Sequence, residues 1–166
     1  MRIFHYLIVA YATILPLAME LIEYSLKNSL GHMMGRISRS ILNQLQKSFT
    51  TAGSDLSVEQ WLLLVHLRDW DGQIHQQLAQ STYRDKTTIT RLLDGLEKRG
   101  LVERIPDTAD RRQKRVRIMP EGRKLSKKLK PLALKIQNKA LEDIALQEID
   151  MCKNILSRIF QNISST

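Results

Sequence analysis

Apolar residues recur every three or four positions between Met19 and Phe49, where Leu26, Leu30, Met33, Ile37, Ile41 and Leu45 form one stripe and predict an amphipathic helix. A polar loop, Thr50 to Asp55, ends it. Ser57, with Glu59 and Gln60 behind it, is a natural N-cap for a second helix reaching Arg68. Trp61-Leu62-Leu63-Leu64-Val65 is apolar on nearly every side, so that helix is expected to be central and buried. Asp69 to Gly72 closes it. Two short helices are predicted next, over Ile74 to Ser81 and Asp85 to Arg99. The first offers Ile74, Leu78 and Ala79 to a core. The second offers Ile89, Leu92, Leu93 and Leu96, spaced i, i+3, i+4 and i+7, and Gly100 suits its left-handed C-cap.

The period then changes. Leu101 to Ile105 and Arg115 to Ile118 alternate, with the polar, turn-rich Pro106 to Arg112 between them, which predicts a β-hairpin. Pro120, a good first-turn residue, opens a long helix to about Ala140 with Leu125, Leu129, Leu132 and Ile136 on one face. Pro131 inside it is expected to kink or locally break it. A last helix carries Ile149, Cys152, Leu156, Ile159 and Ile163 in the alternation of a coiled-coil seam.

Residues Ile3 to Met19 are almost continuously apolar, interrupted by His5, Thr13 and Pro16. One charge, Arg2, and a weak cleavage site make a poor signal peptide. The clean stretch, Tyr6 to Leu15, is too short to span a bilayer. An extra buried helix and a true start at Met19 are the other readings, so residues 1–18 are treated as an extension outside the functional argument.

Composition narrows the class. Seven glycines and four prolines in 166 residues leave little room for the turns of an all-β protein, so the fold is expected to be mainly α. The net charge of +9 is concentrated: from Arg84 to Lys130 sixteen Lys/Arg stand against seven Asp/Glu, a surplus equal to that of the whole chain. A local cation surplus is what a phosphate-binding face needs, since each neutralised phosphate releases counterions. A solvated helix face or an acidic membrane surface is the competing reading. The single cysteine, Cys152, excludes an internal disulfide and a cysteine-rich zinc site, and suits a reducing cytoplasm.

Two short helices followed by a basic hairpin form a winged helix-turn-helix. Asp85 as N-cap places Lys86, Thr87 and Thr88 in the first turn of the second helix, with Thr90 and Arg91 opposite its apolar face. Such a helix end can enter a major groove, where Thr offers a hydroxyl and a methyl and Arg pairs bidentately with guanine. The hairpin tip, Asp110-Arg111-Arg112-Gln113-Lys114-Arg115, supplies cations suited to a narrow minor groove, with Asp110 expected to pair with Arg112 and stiffen the tip. Either element alone also reads as ordinary solvated surface; together they point to DNA.

Asp85-Lys86-Thr87-Thr88-Ile89-Thr90-Arg91-Leu92-Leu93-Asp94, then Leu96 to Val102, Asp110-Arg111-Arg112 and Pro120-Glu121-Gly122 resemble the signature of the MarR family, over roughly residues 24–163. The resemblance implies an obligate homodimer with interlocked first, fifth and sixth helices and two winged lobes reading a pseudo-palindromic duplex. It implies base or phosphate contacts for Thr87, Thr88 and Arg91, and a wing-tip role for Arg112. Met119 departs from the family, which has a helix-capping Thr there. The implied layout is residues 19–55 for an N-terminal dimerisation helix, 56–120 for the DNA-binding domain and 121–166 for C-terminal dimerisation helices. The implied activity is transcriptional repression relieved by a small aromatic or phenolic effector, with His32, Arg36 and Trp61 in the matching stretches.

No Gly-rich phosphate loop, nucleophile elbow or His-Glu metal motif is present, so no enzyme, cofactor or metal is expected. The four histidines show no paired spacing. Cys152, on an apolar seam, is expected to be a buried, inert thiol. The alternative function is a winged helix for protein contacts, tethered to a membrane through residues 3–19.

Overall fold

The computed structural model describes residues 25–110 and 112–164. The expected apolar extension and Arg111 of the wing tip lie outside the described residues. In chain order the elements are α1 (Leu30–Thr51), α2 (Val58–Asp69), β1 (Gln73–Ile74), α3 (His75–Thr82), α4 (Lys86–Glu97), β2 (Val102–Pro106), β3 (Lys114–Ile118), α5 (Pro120–Ala140) and α6 (Leu146–Ser164). The chain divides into two compact units between Ser40 and Ile41, inside α1.

In the first unit the helix begins later than the apolar stripe predicts. Leu26 sits in a turn, because the Asn28 N–H donates to the carbonyl and hydroxyl of Ser25 at 3.1 and 3.3 Å, and the His32 N–H donates to the Ser29 hydroxyl at 3.3 Å. Serine side chains compete for amides that a longer helix would use. From Leu30 onward Met33, Met34 and Ile37 are exposed.

The second unit is built around α2, whose start is the expected capping box: the Ser57 hydroxyl accepts from Gln60 N–H at 3.1 Å, and the Gln60 side chain accepts from Ser57 N–H at 3.2 Å. Val58, Trp61, Leu63, Leu64 and Leu67 of this helix are buried, and it packs on α4, α5 and β3. Phe49 meets the Trp61 ring edge-on at 5.5 Å. The sheet runs β1-β3-β2, antiparallel throughout, with Val102 opposite Ile118 and Pro106 opposite Lys114. The hairpin is therefore as expected, whereas β1 is an addition: two residues, pairing Gln73 with Val116 and Ile74 with Arg115, are too few to show a period.

Helix α5 starts at Pro120 despite Met119, which makes no side-chain cap but has extended backbone angles and donates its N–H to the Leu101 carbonyl at 3.0 Å. A Cβ on the buried Gly122 would fall well inside contact distance of that same carbonyl oxygen, so only glycine fits where α5 crosses the start of the wing. The expected break at Pro131 does not occur; α5 runs unbroken from Pro120 to Ala140. Pro131 and Lys127 are both exposed, so water can satisfy the Lys127 carbonyl that loses its N–H donor. Helix α6 buries none of its residues, leaving Leu146, Met151, Ile155, Leu156, Phe160 and Ile163 exposed. Cys152, expected to be buried on that seam, is exposed with it; among the described residues the ring contact to α6 is that of Tyr83, which meets Phe160 edge-on at 4.7 Å.

Candidate nucleic-acid interface

The Asp85 carboxylate caps α4, accepting the Thr88 backbone N–H and the Thr88 hydroxyl, each at 2.7 Å. Those two bonds, the backbone one foremost, hold the Asp85 carboxyl below the usual range. Thr88 thereby spends its hydroxyl proton on the cap. Thr90 donates its own to the Lys86 carbonyl at 2.9 Å, leaving a methyl and an oxygen lone pair outward. Lys86, Thr87, Thr90 and Arg91 are exposed, while Ile89, Leu92, Leu93 and Leu96 on the opposite face are buried. The Arg91 side chain is 69% exposed and its Nη2 lies 3.7 Å from Glu59 Oε2.

The recognition helix is tied to the wing by Arg104 of β2, whose side chain is only 14% exposed. Its guanidinium reaches Asp94 at 2.7 Å and Glu97 at 2.9 Å, so one cation bridges two carboxylates a helical turn apart. The Arg104 Nε and the nearby His75 Nε2 are buried without a hydrogen-bond partner. Burial, and then the charge of Arg104, push the His75 pKa down. On the other side of the motif Glu59 accepts from Arg84 at 2.8 Å, just ahead of the Asp85 cap.

The wing tip is held from inside. The buried Asp107 accepts the backbone N–H groups of Ala109 and Asp110 at 2.6 and 3.1 Å and pairs with Arg115, which also donates to the Gly72 carbonyl at 2.8 Å. The N–H groups of Asp110 and Ala109, then the Arg115 charge, hold the Asp107 carboxyl low. Arg115 is thus engaged as a pin at the base of the wing. Asp110 stiffens the tip differently from the side-chain pair expected: it accepts the Arg112 backbone N–H at 3.0 Å and the Gln113 amide at 3.1 Å. That leaves the Arg112 guanidinium unpaired among the described residues, as are Lys114 and Lys86. These three cations, with Ile74, His75, Gln76 and Gln113, line an open cleft of about 400 Å³ between the helix starts and the wing, with no carboxylate in its wall.

The three residues considered for an effector fall in different settings. Arg36 is exposed and lines a shallow groove of about 470 Å³ with Met33, Ile37, Arg39 and Ser40, and His32 is half-buried. Trp61, expected as an aromatic wall, is a core residue: it is 7% exposed, packs on Phe49 and donates its indole N–H to the Ser126 carbonyl at 3.2 Å. Sequence reading passed over Glu59, Arg104 and Asp107, whose partners lie 25, 7 and 10, and 8 positions away. The one signal available was Asp107 within a Pro-Asp-Thr turn.

A capped helix with Lys, Thr and Arg outward, seated beside a three-stranded wing with a carboxylate-free cationic cleft, defines a winged helix-turn-helix DNA-binding protein. The MarR family model matches residues 56–114. The chain is similar to the transcriptional regulator PA3341, 32% identical with a TM-score of 0.73 over 83% of this chain and all of that one. It is similar to a MarR-family regulator from Silicibacter pomeroyi, 29% identical, TM-score 0.71, over 84% and 92%. It is also similar to Bordetella bronchiseptica BpsR, whose DNA binding is regulated by 6-hydroxynicotinic acid, 25% identical, TM-score 0.74, over 82% and 96%. The chain belongs to the MarR family and is a DNA-binding transcriptional regulator, not an enzyme. Among the described residues no cluster of His, Cys, Asp and Glu is placed to hold a metal, and no helix is long and apolar enough to cross a membrane.

Proposed function

We propose that the protein acts in the cytoplasm as a homodimeric repressor, occupying a pseudo-palindromic duplex site and excluding polymerase, and that a small aromatic or phenolic anion releases it. The observation that carries the DNA reading is that one lobe exposes two cations, Arg91 on the recognition helix and Arg112 at the wing, the latter without a partner among the described residues. Arg91 reads a base edge in the major groove, while Thr87 and Lys86 position the helix on the backbone; Arg112 and Lys114 follow the flanking groove. The dimer reading is supported by the uncovered apolar face of α6 and, separately, by the exposed Leu30, Met33 and Ile37 of α1. The effector reading is supported by Arg36, a cation in an apolar-edged groove, and by the aromatic acid that regulates BpsR.

The test is to select a duplex from a random-sequence pool with the purified protein, then footprint it and titrate it across a salt series. Two protected half-sites about one helical turn apart are expected. Arg91→Ala is expected to cost roughly 1–3 kcal/mol and relax one base position, and Arg112→Ala to flatten the salt slope by about one. If both variants bind like the wild type, the docking proposed here is wrong. Addition of salicylate or 6-hydroxynicotinate is expected to release the DNA, and Arg36→Ala to blunt that release.

A further inference from the structure

We propose that the cleft between the starts of α3 and α4 and the wing seats one phosphate of the duplex backbone, and that His75 in its wall takes up a proton as that phosphate enters. The proposal rests on the DNA reading above, though not on which base Arg91 reads. The cleft, of about 400 Å³, gathers cations from three places in the chain: Lys86 opens α4, Arg112 stands at the wing tip and Lys114 opens β3. All three are unpaired among the described residues, Gln76 and Gln113 add amides, and no carboxylate lines the wall. Cations and neutral donors without a competing acid are the lining that phosphodiester oxygens need.

Folding alone does not account for this lining. Like charges around one cleft repel, and Lys86 occupies the first turn of α4, where the helix dipole disfavours a cation. An anion held in the cleft relieves both. His75, the first residue of α3, lines the same wall, and its Nε2, like the nearby Arg104 Nε, is buried without a hydrogen-bond partner. Arg104 from β2 and Lys114 from β3 oppose a proton on the ring, Asp94 and Glu97 from α4 favour one, and β1 brings only Gln73 and Ile74. Burial and then Arg104 prevail, so the His75 pKa lies below its ordinary value of about 6.5 in the free protein. A phosphate charge in the cleft offsets Lys114 and favours the imidazolium. It acts through the field across the ring and needs no contact with the buried Nε2. The complex therefore holds a proton that the free protein lacks wherever the pH lies between the two pKa values.

The experiment measures the affinity of the full chain for the pool-selected duplex from about pH 8 to 5.5 at constant ionic strength, with circular dichroism confirming the fold at each pH. Wild-type affinity is expected to rise about 3- to 10-fold between about pH 7.5 and 6, within the ceiling of about tenfold per pH unit for one proton. His75→Gln is expected to lose most of that rise, whereas His66→Gln, on α2 outside the cleft, is expected to keep it. Neutral methylphosphonates are then placed one at a time along the duplex. One position in each half-site is expected to abolish the pH dependence, while the others lower affinity and leave it intact. The scan uses wild-type protein, so it decides the matter even where His75→Gln folds poorly. A wild-type affinity that is steep with salt but flat with pH overturns the proton uptake. A rise that survives in His75→Gln, or at every methylphosphonate position, overturns the seat beside His75. Should no duplex be retained at low salt at any pH, the DNA reading itself fails and takes this proposal with it.

Discussion

The winged lobe and helix α6 belong to the same compact unit yet are opposites in construction. The lobe buries Ile89, Leu92, Leu93 and Leu96 behind its recognition helix and closes its surface with Arg104, Asp107 and Arg115 ion pairs. Helix α6 buries nothing, although its apolar residues are as large and as regularly spaced. Regular amphipathic spacing thus marks a face that needs a cover without saying where the cover comes from. The lobe finds its cover within the chain; α6, on the reading proposed above, finds it in a second copy.

The largest expected effect breaks the lobe. Leu93→Ala removes a fully buried side chain and is expected to cost about 2–5 kcal/mol, read as a lower denaturation midpoint. Charging the other region should do the reverse: Ile155→Glu with Ile163→Glu is expected to leave a folded monomer by circular dichroism and sedimentation, with DNA affinity down tenfold or more. Retention of the dimer in that variant would move the interface off α6. A smaller effect sharpens the contrast within the lobe: Ser57→Ala removes the α2 capping box and is expected to cost about 1 kcal/mol.

The smallest expected effects are pH-dependent. His75 binds its proton less readily folded than unfolded, so below its unfolded value of about 6.5 the unfolded chain takes up more protons and stability falls with pH. His75→Gln is expected to flatten the stability profile between about pH 7 and 5.5, seen in melts at each pH. Asp85 and Asp107, both held low, contribute stability that is present above about pH 4 and lost as pH falls through their folded values. The acid limb of Asp107→Asn is therefore expected to be shallower.

The sequence disclosed the parts of this fold whose causes are local. Ser57 and Asp85 announce helix starts because a short oxygen-bearing side chain satisfies amides three residues on, and Gly100, at φ 65°, announces a helix end. The cationic wing and the outward Thr87 and Arg91 were legible for the same reason, since period fixes facing. What stayed hidden depends on distant neighbours. Strand β1 exists because β3 lies beside it, and Trp61 is core because the Ser126 carbonyl, 65 positions later, takes its N–H. Whether Arg115 is a free cation or a pin is decided by Gly72 and Asp107, which no spacing rule connects to it.

Gly122 carries a mechanical consequence. Its backbone lies against Leu101, the residue that follows the Gly100 turn after the recognition helix and precedes β2, and α5 itself begins two residues after β3 ends. The end of the reading head, the root of the wing and the base of the long helix therefore meet at one joint, backbone against backbone, with the Ile118 side chain packed beside it. Such a joint has no slack. On the dimer proposed above, displacement of the first turn of α5 is expected to carry recognition helix and wing together, so the spacing between the two DNA-reading heads would be set by moving the shaft and not by flexing the blade.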